Sequence, residues 1–100
     1  MSSQFIIEVD KDLEEIMPMF LENRKKDVIS LKDFIETNNF SEIEIIAHKL
    51  AGNAGGYGLK ALGEIGSKME LAAQNSDMKS IQDQFENYRN YITNLNIKYV

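Results

Sequence analysis

Apolar residues recur at steps of three and four through most of the chain, and that spacing restricts the fold more than any other feature. The clearest run is Met78, Ile81, Phe85, Tyr88, Ile92 and Leu95, whose alternating steps of 3 and 4 form the seam of a bundle helix. Leu13, Ile16, Met17, Phe20, Leu21, Val28, Leu31, Phe34 and Ile35 trace a second stripe, which predicts one long helix from about Asp10. The lone proline, Pro18, falls early in it, where it is expected to kink or break the first turns. Leu62, Ile65, Met69 and Ala73 mark a further helix from about Leu59. No strand-like alternation persists, and no Asn-Gly or Asp-Gly hairpin signal occurs.

The boundaries are signalled locally. Thr37-Asn38-Asn39 tolerate a helix stop. Ser41 followed by Glu44 reads as a capping box, with Phe40 and Ile45 placed as a hydrophobic staple, so the second helix is expected to begin at Ser41. Ser76 or Asp77 can cap the fourth. One hundred residues make one domain, 1–100, and four amphipathic helices with short connections predict an all-α fold. The architecture expected is an antiparallel up-down four-helix bundle with a short or kinked N-terminal helical segment.

Composition narrows the function. Ile, Leu, Val and Phe number 28, above the roughly 20% below which chains stay disordered. Eleven basic against sixteen acidic residues give a net charge of −5, unfavourable for nucleic acid or an anionic membrane surface. There is no cysteine, hence no disulfide and no thiolate chemistry. No apolar run approaches the roughly 18 to 20 residues that span a bilayer, and the start lacks the basic and apolar regions of a secretory signal. A cytoplasmic monomer is the expectation. The run Glu22 to Asp27 reads as a solvated helix face, the methionines on the stripes as core filler, and Tyr88 and Tyr91 as partly buried.

One residue does not fit a plain bundle. On a helical wheel Ile43, Ile46, Ala47, Leu50 and Ala54 form the buried face of the second helix. His48, the only histidine, lies about 150° from the middle of that stripe and is expected to face solvent. A lone histidine is ordinarily a packed or inert residue, but its surroundings here are stripped of cover. Ala51, Gly52 and Gly55 stand at the positions that would shade the ring, although each helical glycine costs about 1 kcal/mol relative to alanine. With Ile45 exposed one turn before it, His48 stands on a bare docking platform.

From Ala47 to Gly58 the sequence reads AHKLAGNAGGYG. It resembles the motif of histidine-containing phosphotransfer (HPt) domains, matched by His48, Leu50, Gly52, Ala54 and Gly58. The resemblance runs from about Asp10 to Leu95. It implies that His48 accepts a phosphoryl group from a receiver-domain aspartate and passes it to another receiver. An imidazole, with an unperturbed pKa of about 6.5, offers a neutral nucleophilic nitrogen for this at cytoplasmic pH. The partners implied are response-regulator receivers and a hybrid sensor histidine kinase. No cofactor of its own is implied, since the Mg²⁺ sits in the receiver. Ile45, Lys49, Ala51, Gly52 and Gly55 are the expected partner-binding residues. Many members carry Lys where this chain has Ala51, which leaves open whether Lys49 or Lys60 compensates.

Rival motifs fail on chemistry. Gly58 and Gly63 have P-loop spacing, but Glu64 stands where Lys is required. Gly56 to Ala61 fits a dinucleotide fingerprint only formally, because a helix precedes it instead of a strand. One histidine cannot supply a two-metal carboxylate site, and an exposed helix face offers no dry pocket for a hydrolytic triad. The chain has no ATP-binding apparatus, so a phosphoryl carrier without kinase activity is expected. The alternative is a helical adaptor that binds signalling partners without being phosphorylated.

Overall fold

The computed structural model describes residues 5–100; the first four, part of the start read above as lacking a secretory signal, lie outside them. Four helices form the body: α1 (Met17–Glu36), α2 (Phe40–Asn53), α3 (Lys60–Gln74) and α4 (Met78–Asn94). Each packs on its sequence neighbours, and α1 packs on α4, so the ring of four closes. None is long and apolar enough to cross a membrane. Met17, Leu31, Ile43, Leu62, Met69 and Ile81 fill the axis and are fully buried.

The first helix starts later than its stripe. Asp10 accepts a hydrogen bond from the Asp12 amide at 2.8 Å and opens a short 3-10 turn, Lys11–Leu13. The helix proper begins at Met17, which puts Pro18 in its first turn. There the missing amide has no intrahelical partner to lose, so Pro18 starts the helix and does not kink it. Ile16, counted on the stripe, stands at the N-cap and is exposed.

Two turns share one construction. After α1, the Asn38 amide donates to the Ile35 carbonyl and the Asn39 amide to Phe34, the paired bonds of a Schellman motif. Asn38 takes the left-handed conformation this requires, at φ 55°. After α3, Ser76 (φ 54°) and Asp77 repeat the pattern onto Ala73 and Ala72. In both turns the next residue caps the following helix: Asn39 accepts from the Glu42 amide, Asp77 from the Ser80 amide. The capping box expected at Ser41 is therefore not formed, because α2 begins one residue earlier and Ser41 lies inside it. The staple of Phe40 and Ile45 falls with it.

A second departure is a sheet. β1 (Phe5–Val9) and β2 (Leu95–Tyr99) pair in parallel, with Phe5 opposite Leu95 and Val9 opposite Tyr99. Leu95, expected to end the α4 seam, instead opens this strand. Main-chain bonds from Val100 to Val9 and from Lys11 to Val100 extend the pairing.

Three smaller corrections concern side chains. Tyr88 and Tyr91 are buried completely or nearly so. The Tyr88 hydroxyl donates to the Arg24 carbonyl at 3.1 Å, and burial, with the Asp27 charge beside it, pushes its pKa well above the usual tyrosine value. Within the Glu22–Asp27 run, Arg24 and Asp27 are not a solvated face. They pair at 2.8 Å while Arg24 covers the Phe20 ring, which itself stacks on Tyr57 at 3.9 Å. Ile46 is half-buried where the wheel put it in the core.

Candidate functional site

The α2–α3 contact decides the geometry. Gly66 of α3 lies against the α2 backbone so closely that a Cβ there would stand 2.6 Å from the Ala51 nitrogen and 3.0 Å from the Ala47 oxygen. Only a residue without a side chain permits that approach. Gly63 continues the contact one turn away, opposite Ala51, Ala54 and Gly55. The helices run antiparallel, so moving from Gly63 through Gly66 to Glu70 on α3 means moving from Gly55 through Ala51 to His48 on α2.

That register brings the two together. His48 Nδ1 lies 2.6 Å from Glu70 Oε2, while the His48 side chain remains 75% exposed and Glu70 only 23%. An ionised carboxylate can only accept a hydrogen bond, so the proton of the neutral ring sits on Nδ1 and the lone pair on Nε2. The bond also fixes the orientation of the ring.

The expected partner-binding residues are arranged unequally. Ile45 is 47% exposed, one turn from His48 towards the helix start. Gly52 and Gly55 are exposed, and a Cβ built on either meets nothing within 4 Å. Ala51 is half-buried because its backbone is the part of α2 that Gly66 touches. Lys49 and Lys60 are exposed, and neither takes part in an ion pair among the described residues. Lys60 lies ten residues before Glu70 on the same helix, about 15 Å along the axis. With Ala51, Gly55 and Lys68 it lines a groove between α2 and α3.

Glu70 escaped the sequence reading. A signal existed: Glu70 stands four residues after Gly66, one turn along the same face of α3, and a glycine inside a helix marks close approach to a neighbour. Reading it required knowing that α2 was that neighbour. After Ala54–Tyr57 the chain turns at Gly58, whose φ of 79° suits glycine, and this turn directs α3 back along α2.

Comparison with curated proteins and with solved structures returns no match for the chain. Comparison with family models does: the family described as Hpt domain matches residues 1–97. The match takes in all four helices and the turn that follows the histidine motif. With that coverage, the chain belongs to the Hpt domain family.

Proposed function

We propose that His48 is the phosphoacceptor of this chain and that Glu70 is the positioning residue behind it. Hpt domains are phosphocarriers of phosphorelays, exchanging phosphoryl groups with receiver domains of response regulators or hybrid kinases. The reading takes His48 as the group that is loaded. The observation that carries it is the 2.6 Å bond from Nδ1 to Glu70 on a ring otherwise open to solvent.

The chemistry follows from that bond. The Nε2 lone pair attacks the phosphorus of a receiver's aspartyl phosphate; the P–O bond to the aspartate breaks, and the carboxylate leaves with its electron pair. The ring then holds phosphorus on Nε2 and the proton on Nδ1, a cation that faces the Glu70 carboxylate. In the reverse step an aspartate oxygen attacks phosphorus and the P–N bond breaks. Its pair returns to Nε2, so a neutral imidazole leaves without moving a proton. The Mg²⁺ and the shielding of the transferring group come from the receiver, and Gly52, Gly55 and Ile45 give that partner room and an apolar rim. Both receiver and carrier then work in the cytoplasm.

Incubation with a phosphorylated receiver tests the reading. Wild type is expected to gain an acid-labile, alkali-stable label, and His48→Gln none, with melting temperatures within about 2 °C because the side chain is exposed. Glu70→Ala is expected to keep the fold, move the Nδ1 proton towards Nε2 in ¹⁵N spectra, and slow loading about tenfold. Glu70→Gln, whose amide oxygen still accepts, is expected to recover part of the rate. Absence of label on wild type would leave the helical adaptor as the function.

A further inference from the structure

His48 and Glu70 stand over the junction of α2 with α3. Across the ring α1 packs on α4, and there the surface opens into a groove of about 430 Å³ lined by Lys25, Val28, Arg89, Ile92, Thr93 and Leu95. Both walls repeat one pattern. On α1, Lys25, Val28, Ile29 and Lys32 fall at i, i+3, i+4 and i+7, within an arc of about 100°. On α4, Arg89, Ile92 and Thr93 fall at i, i+3 and i+4. Val28, Ile92 and Leu95 are half-buried, and Ile29, beside Val28 on the outer face of α1, is 73% exposed.

The charge in this groove has one sign, on a chain whose net charge is −5. Four other grooves each hold a carboxylate: Glu15 beside Met19, Asp77 beside Leu71, and Glu64 beside Ile65 and again beside Ala51. The α1–α4 groove holds none. Glu22, one turn before Lys25, and Glu36, one turn after Lys32, mark the ends of the basic stripe. Lys25 and Lys32 form no ion pair among the described residues. Arg89 bonds Glu86 through Nη2 alone, at 2.8 and 3.1 Å. A guanidinium carries five N–H donors, so Arg89 keeps donors for a second carboxylate.

We infer that the α1–α4 groove docks a helix of another protein, one with an apolar ridge flanked by carboxylates. Walls that repeat at three and four residues match the ridge of a helix, which would set its apolar side chains on Val28, Ile29, Ile92 and Leu95. Lys25, Lys32 and Arg89 select acidic flanks by charge complementarity. An anionic membrane offers the same sign of charge, but the net charge of the whole chain repels so broad a surface. The groove lies across the ring from His48, so its occupant leaves the α2–α3 face free, and the inference stands on the fold without the phosphoacceptor assignment.

The probe is a synthetic alanine-based helix of about four turns, with leucines at i, i+4, i+7 and i+11 and glutamates on both flanks. Its control carries lysine for each glutamate. In a ¹⁵N chemical-shift titration of the full chain, the glutamate peptide is expected to move the amides of Lys25 to Lys32 and Arg89 to Leu95 and leave those of Ala47 to Gly55 in place. The lysine peptide should bind at least about tenfold more weakly. Lys25→Gln and Arg89→Gln, both at exposed positions, are each expected to weaken the glutamate peptide about threefold, and Ile29→Ser about threefold with the charge unchanged. Salt at about 0.5 M should cut the difference between the two peptides to below about threefold. Equal binding of the two peptides, no binding at about 1 mM, or shifts centred on α2 and α3 would overturn the inference. So would a dimer of the chain alone that Arg89→Gln dissolves, which would give the groove to a second copy, or retention on phosphatidylglycerol vesicles that the same substitution abolishes. None of these outcomes touches the labelling of His48.

Discussion

A methyl group on Gly66 would press into the α2 backbone at 2.6 Å from the Ala51 nitrogen, and backbone cannot rotate aside as a flexible side chain can. Gly66→Ala is therefore expected to cost about 1 to 3 kcal/mol in urea denaturation, the usual range for overpacking. By prising α3 off α2 it should also lengthen the His48–Glu70 bond. Gly52 sits on the same pair of helices with nothing within 4 Å of a Cβ. Gly52→Ala is expected to be neutral or to stabilise by up to about 1 kcal/mol, as alanine is the better helix former. Gly52→Leu should fold as well, yet slow transfer from a receiver about tenfold by holding the partner off His48. Both glycines are plain in the sequence. Which one the fold requires depends on the neighbouring helix, and a wheel drawn for one helix cannot supply that.

Among elements, the link between α3 and α4 is the most readily tested. The Ser80 hydroxyl and then the Ser80 amide donate to Asp77, and these bonds hold its carboxyl below the usual carboxylate range. A lowered value in the folded chain means that the ionised form stabilises the fold. That contribution is complete above the unfolded carboxylate value, about pH 4, and is lost as pH falls through the lowered folded value. Asp77→Asn keeps a capping oxygen but cannot ionise. Wild type is expected to have the higher urea midpoint at pH 6, with the difference closing as pH drops below about 3. A difference that stays constant with pH would mean that the cap works without its charge. Asp77 was one of two candidates in the sequence, and Ser76 lost the role because the Schellman turn puts it in the left-handed conformation at the C-terminal end of α3. The same turn after α1 moved the α2 cap from Ser41 to Asn39.

Across the whole molecule, β1 and β2 tie the two ends of the described chain together beneath the bundle. Val9 is almost fully buried, and Phe5 packs on Tyr91 with ring centroids 5.1 Å apart. Deleting residues 95–100 removes three half-buried apolar side chains, Leu95, Ile97 and Tyr99. The truncated chain is expected to lose about 2 to 4 kcal/mol of stability by thermal melting. His48, Glu70 and the Gly66 contact are supplied by α2 and α3 alone, so phosphoryl transfer at a temperature where the truncated chain is folded is expected to stay within about twofold of wild type. A collapse of transfer under those conditions would show that the sheet supports the His48 face.

The number of helices, their stripes, and the outward direction of His48 follow from the sequence alone, because helical periodicity is a local property and burial must follow it. The sheet did not follow. Leu95, Ile97 and Tyr99 alternate as a strand does, but Leu95 also satisfies the helical step from Ile92, and the partner strand lies ninety residues away. Glu70 was hidden for a related reason. A carboxylate beside a helical stripe looks like any solvated charge until the depth of the Gly66 contact sets it level with His48. Local spacing chose the imidazole; the close, antiparallel packing of two helices decided which of its nitrogens is left free.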